Sequence, residues 1–185
     1  MHWDEFITEE SRGVRVFQVL QKAKELHSDQ TRDAGEPYWK HLERVAQLLF
    51  EHGIRNYQIL AAGILHDAIE DTWWSFSDVK SAYGATVAEY VKWCSIDTRK
   101  TRAEREGEVI AHAFEMPFDA ALIKLADMID NLRDMKGWNT KRRVKYDKEK
   151  QRLIAAMILG GFPADHSLAQ LASKMSVSIM AEETV

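Results

Sequence analysis

Apolar residues recur at intervals of three and four along almost the whole chain, and that spacing limits what it can fold into. In "RVFQVLQKAKELH" (15–27), Val16, Val19, Leu20, Ala23 and Leu26 share one face of a helix. "TRDAGEPY" interrupts the pattern with Gly35 and Pro37. Pro37 suits the first turn of a next helix over 37–52, which Gly53 closes. A more apolar, central helix is expected over 56–70, then one from Ser75 or Ser77 to Gly84, and others over 85–95 and 101–114. "DAALIKLADMIDNLRDMKG" (119–137) reads as another apolar helix with an Asp cap and a Gly stop. A helix over 139–161 follows, then a peripheral segment, 164–185, with a short helix over 164–173 and a frayed tail. Strand-like alternation, repeats and low-complexity tracts are missing from the sequence. The expectation is an all-α fold, a single domain over 1–185 built as a bundle of roughly eight helices.

Bulk composition, 45% hydrophobic and 29% charged with a net charge of −4, is that of an ordinary soluble globular chain. Both signs of charge are interspersed, so no polybasic arm points to nucleic acid. The single Cys94 excludes an internal disulfide and a cysteine-based zinc site, and in "YVKWC" it reads as a small buried residue. Trp73 and Trp74 read as packing. The N-terminus, "MHWDEFITEE", lacks a signal pattern, and no apolar run approaches the ~20 residues of a membrane span. A cytoplasmic protein with no membrane partner is expected.

"ILHDAIEDT" (64–72) sets His66, Asp67, Glu70 and Asp71 among residues otherwise fit for a core. On a helix, His66 sits beside Glu70 and Asp67 beside Asp71. Taking charges out of water costs several kcal/mol per ion unless something compensates. No basic residue lies nearby in sequence, so a divalent cation is the economical compensation. Two other helices offer ligands: His41, flanked by Leu42, Val45 and Leu48, and Asp127 in "IKLADMIDNL". Asp127 also has Lys124 and Arg133 as ordinary ion-pair partners within reach. His41, His66, Asp67 and Asp127 make a mixed N/O set that suits manganese or a similar octahedral ion. Such an ion acidifies its water, and Glu70 and Asp71 stand one turn away to orient or deprotonate it.

These residues resemble the HD superfamily of metal-dependent phosphohydrolases, whose ligand pattern His41, "HD" at 66–67 and Asp127 match. "HSDQTRDAGEPYWKH", "AAGILHDAIEDT", "YGATV" and "IKLADMIDNLRDM" are similar more specifically to the hydrolase domain of RelA/SpoT homologues, over residues 15 to 158. With no synthetase domain following, the chain resembles the small alarmone hydrolases, including the metazoan SpoT homologue. The resemblance implies Mn²⁺-dependent removal of the 3′-pyrophosphate from (p)ppGpp, giving GDP or GTP. It implies that Glu70 and Asp71 activate the water, Asn131 contacts the nucleotide and Arg32 contacts the base. Arg102 falls where a phosphate contact is expected, and Arg142 and Tyr146, after Trp138, match a nucleotide-contacting pair. His27 matches the family's H-x-x-Q pattern.

Three departures stand out: Asp33 and Met128 replace lysines of the family, and Leu42 replaces a proline. They leave the metal set untouched and bear on the choice of purine. A (p)ppApp hydrolase, an NADPH 2′-phosphatase or a nucleotidase is the neighbouring enzymatic reading. The Glu70–Asp71 pair and "GEPY" argue against the nucleotidase. A silent nucleotide-sensing module is the non-enzymatic reading, and the intact ligands and acidic pair argue against it.

Overall fold

Helix-forming periodicity becomes eleven helices among the described residues, with no strand; an isolated antiparallel bridge joins Thr31 and Pro37. The computed structural model describes residues 1–95, 102–135 and 138–182, and for 102–107 and 177–182 the backbone alone. It contains two compact units, Met1–Ile96 and Asp97–Val185. Among the described residues no helix is long and apolar enough to cross a membrane.

The first unit holds α1 (Trp3–Glu9), α2 (Ser11–Leu26), α3 (Trp39–Glu51), α4 (Tyr57–Leu65), α5 (Ala68–Asp71), α6 (Phe76–Tyr83) and α7 (Ala85–Cys94). Helix α4 is its centre, packed by α2, α3 and α7, which is why Ile59 through Leu65 are buried all round rather than on one stripe. Asn56 starts α4 by accepting from the Gln58 and Ile59 amides, at 2.8 and 3.4 Å. Cys94 is buried, as its apolar setting implied.

The second unit holds α8 (Arg102–Glu115), α9 (Phe118–Arg133), α10 (Thr140–Leu159) and α11 (Ser167–Glu182). Helix α10 packs on α8, α9 and α11, and α11 packs on α9. The crossing of α8 with the end of α10 is close: a Cβ on Gly160 would fall 1.8 Å from the Phe114 carbonyl oxygen. Asp147, fully buried in α10, accepts from Gln151 Nε2 at 2.9 Å and from the Ser176 hydroxyl of α11.

The structure departs from the sequence expectation in five places. Residues 3–9 form a helix, because Trp3 and Phe6 pack against Phe50 of α3, edge-on and tilted, at 5.6 and 4.7 Å between ring centroids. The helix expected over 56–70 is broken at His66 and Asp67, where Asp67 has φ −97° and ψ 0°. The helix expected to stop at Gly137 ends at Arg133, and Gly137 itself lies outside the described residues. The last helix runs to Glu182 rather than ending near 173, held in part by the Ser176–Asp147 bond. Of the tryptophan pair, Trp74 is buried but Trp73 is 76% exposed, so packing accounts for only one of them.

Candidate active site

The break in the central helix is what creates the site in the first unit. With α4 ended at Leu65, His66 takes the cap position and its Nδ1 lies 2.9 Å from the Gly63 carbonyl oxygen. At that distance Nδ1 carries the proton and donates, which leaves the lone pair on Nε2. Nε2 of His66 faces Asp67 Oδ2 at 3.0 Å, and Nε2 of His41 lies 3.9 Å from the same oxygen. The two imidazoles meet edge-on, 5.2 Å between centroids and 71° between planes. Both histidines are buried. Nitrogen and carboxylate lone pairs aimed at one point repel each other unless a proton or a cation sits among them. This donor set fits a divalent cation. Gly63 lets α4 lie close on α3, since a Cβ there would come within 2.8 Å of Leu49 Cδ1 and oblige that side chain to move aside.

Tyr38 ties the ligand to the acidic pair. Its hydroxyl donates to Asp67 Oδ2 at 2.6 Å and stands 3.5 Å from Asp71 Oδ2. A short loop fixes Tyr38: its amide donates to the Gln30 carbonyl at 3.0 Å, and the Arg32 amide to that of Glu36 at 2.8 Å. Gly35 makes the turn with φ +82°, a conformation open to glycine. The Glu36 carboxylate then accepts from Arg44 Nη1 of α3 at 2.7 Å. The Tyr38 ring stacks on His27 at 5.2 Å and meets His41 edge-on at 5.7 Å. His27 Nδ1 lies 2.7 Å from Gln30 Oε1, and Gln30 Nε2 donates to the Asp71 carbonyl at 2.7 Å, so the H-x-x-Q pair braces the end of α5.

Asp71 is at the solvent rim and Glu70 is half-buried beside it in sequence. Partial covering by protein, and then the negative charge of Asp67, raise the Asp71 pKa; His27, His66 and the Tyr38 hydroxyl pull the other way. The guanidinium carbon of Arg32 lies 6.0 Å from the Tyr38 ring centroid, on the same side of the unit as these groups.

In the second unit, Asp127 is buried on α9. Its Oδ1 accepts from Asn131 Nδ2 at 2.5 Å and its Oδ2 from Lys124 Nζ at 3.0 Å, the helical i+4 and i+3 neighbours. On α10, Asn139 caps the helix by accepting from the Arg142 amide at 2.9 Å. The Arg142 guanidinium lies 3.6 Å over the Trp138 ring, and Tyr146 meets that ring edge-on at 5.2 Å. Trp138, Arg142, Lys145, Tyr146 and Glu149 line an open cavity of about 260 Å³. The side chain of Arg102 lies outside the described residues. Sequence reasoning missed the roles of Tyr38 and Gln30. The signal for both was present, in "GEPY" and in H-x-x-Q.

The HD domain family model matches residues 20–157. A Danio rerio guanosine-3′,5′-bis(diphosphate) 3′-pyrophosphohydrolase MESH1 is 31% identical over 172 residues, covering 89% of this chain and 96% of that protein. Its Drosophila melanogaster counterpart is 37% identical over 142 residues, covering 72% and 79%. The Escherichia coli bifunctional (p)ppGpp synthase/hydrolase SpoT is 34% identical over 141 residues, which is 73% of this chain but 20% of SpoT. A solved structure of a metazoan ortholog of SpoT that hydrolyses ppGpp superposes with a TM-score of 0.79 at 30% identity, covering 91% of this chain and 96% of the other. The chain belongs to the HD domain family, a membership that implies a divalent metal ion.

Proposed function

We propose that this chain is a phosphohydrolase that uses one divalent cation, Mn²⁺, to remove the 3′-pyrophosphate from guanosine 3′,5′-bis(diphosphate), releasing GDP (or GTP from the pentaphosphate). One observation carries the reading. Nε2 of His66 and Nε2 of His41 crowd Asp67 Oδ2 at 3.0 and 3.9 Å, a cluster of donor atoms that a cation reconciles, while the Tyr38 hydroxyl joins that oxygen to Asp71. The relatives named for this activity support the substrate. Asp127 is the fourth ligand, and the family match supports this in that it runs from residue 20 to residue 157 and so includes all four of these positions.

When bound, the cation acidifies water and offsets negative charge on phosphate oxygens. His41, His66, Asp67 and Asp127 hold it. Tyr38 keeps Asp67 in place for that task. Glu70 and Asp71 accept a hydrogen bond from the attacking water and take its proton. The water oxygen bonds to the phosphorus attached to the 3′-oxygen, the P–O3′ bond breaks, and the proton taken from the water is returned by the acidic pair to the departing 3′-oxygen. Arg32 faces the base, Asn131 the sugar, and Arg102, Arg142 and Tyr146 the phosphates and nucleoside. Asp33, exposed next to Arg32, is where purine choice is set.

Metal-depleted protein reloaded with Mn²⁺ is incubated with ppGpp and, in parallel, ppApp in ¹⁸O-water, and pyrophosphate and orthophosphate are quantified separately. The reading expects GDP and pyrophosphate in equal amounts from ppGpp, with the label in pyrophosphate. Orthophosphate as the product, label in GDP, or turnover of ppApp alone contradicts it.

A further inference from the structure

The acidic pair is followed by a tryptophan that neither the fold nor the reaction above uses. Trp73 is 76% exposed, and its ring meets that of Trp74 edge-on at 6.2 Å between centroids. A singly exposed apolar residue is ordinary on a protein surface. Trp73 differs in how firmly it is held, and in where. Thr72 is extended, with φ −131° and ψ −177°. Its hydroxyl donates to the Ala68 carbonyl at 2.6 Å and accepts from the Trp74 amide at 3.1 Å. On the other side Trp74 is buried, its ring 6.1 Å from that of Tyr83, and Ser75 opens α6 in a capping box with Asp78. The backbone of Trp73 is therefore fixed from both ends while its indole stands in water.

The place is the rim of the site. Two peptide units separate Trp73 from Asp71, so their Cα atoms lie within about 7.6 Å of each other. The Asp71 carbonyl accepts from Gln30 Nε2 at 2.7 Å. Two residues beyond Gln30 is Arg32, whose guanidinium carbon lies 6.0 Å from the Tyr38 ring centroid. The Gln30–Asp71 bond thus ties together two short arms, one carrying Arg32 and the other Trp73. Indole and guanidinium are both flat groups that stack on heteroaromatic rings. The reaction above brings one such ring, the purine, to Arg32. Stacking it on Trp73 takes apolar area of both partners out of water and demands little ordering, since the indole turns about two bonds on a backbone already fixed.

We propose that Trp73 is the stacking platform for the purine of the substrate. This rests on the phosphohydrolase reading above for the presence of a purine. A stack reads the face of a ring and not its edge, so it adds affinity without choosing between guanine and adenine.

The test uses the Mn²⁺-loaded full chain as wild type, Trp73→Ala and Trp73→Tyr, with thermal melts to check the fold. Calorimetry measures binding of GDP, ADP and inorganic pyrophosphate separately, and steady-state assays give KM and kcat for ppGpp. Losing the stack weakens GDP and ADP by the same factor, about ten- to a hundredfold, in Trp73→Ala. Pyrophosphate affinity is unchanged, Trp73→Tyr recovers most of the loss, and in turnover the loss is carried by KM. Wild-type GDP affinity in Trp73→Ala overturns the proposal, as does a wild type that binds neither GDP nor ADP. Equal weakening of GDP and pyrophosphate, or a loss confined to kcat, also overturns it, since these place Trp73 under the phosphates or behind the acidic pair. If ppGpp is not hydrolysed yet GDP binding depends on Trp73, the platform stands and the reaction assignment falls. If Trp73→Ala hydrolyses ppGpp with wild-type KM, the platform alone falls.

Discussion

Removing one oxygen atom, in Tyr38→Phe, isolates what the Tyr38 hydroxyl contributes. The ring keeps its stack on His27 at 5.2 Å and its edge contact with His41 at 5.7 Å, so the change deletes the bond to Asp67 at 2.6 Å and little else. A hydrogen bond to a carboxylate is worth about 1.5–3 kcal/mol. Asp67 is only partly buried, so water replaces some of that, and a loss of about 1 kcal/mol lowers the Tm of the metal-free chain by about 2–4 °C. The larger effect is on the cation. Groups that orient a metal ligand are worth about ten- to a hundredfold in affinity, and the same range is expected here for Mn²⁺ measured by calorimetry. Turnover at saturating Mn²⁺ falls as well, because Asp71 loses its tie to the ligand. A Tyr38→Phe protein with wild-type Mn²⁺ affinity and wild-type turnover refutes the reasoning.

Three further outcomes are expected. Glu70→Gln keeps Mn²⁺ binding within about threefold while losing about 10²–10⁴-fold in kcat; unchanged kcat removes Glu70 from water activation. Asn56→Ala deletes both hydrogen bonds of the α4 N-cap and costs about 1 kcal/mol in chemical denaturation, and a neutral result shows that packing alone holds the helix start. Asp71, with its pKa raised by burial and Asp67, carries a cost once ionised. Its protonated form favours the folded state below the unfolded aspartate pKa, and that advantage is lost as pH rises through the higher folded value. Metal-free Asp71→Asn therefore melts above wild type at neutral pH, with the gap closing below the ordinary aspartate range, while wild-type kcat/KM falls as pH drops through the raised pKa. A constant gap across pH contradicts the assignment.

The helical class was legible because three-and-four spacing runs through nearly every segment, and α3 and α7 lie within two residues of where periodicity put them. Helix α1 was not, because its acidic residues hide the Trp3–Phe6 pair whose worth comes from Phe50 far along the chain. The chemistry-bearing residues were visible as ionisable groups on apolar helices. What the spacing could not convey is that the helix breaks at His66 and Asp67. Uniform helical geometry sends those side chains about 100° apart, whereas the turn aims them at one point.

The account stands on buried nitrogen and oxygen lone pairs that a cation reconciles. Electron paramagnetic resonance of free Mn²⁺, during titration of metal-depleted protein, tests this most directly. Wild type is expected to bind one Mn²⁺ per chain, and Asp67→Ala, His66→Ala and Asp127→Ala each to lose saturable binding while remaining folded. Absence of a saturable site in wild type, or undiminished binding in Asp67→Ala, contradicts the account.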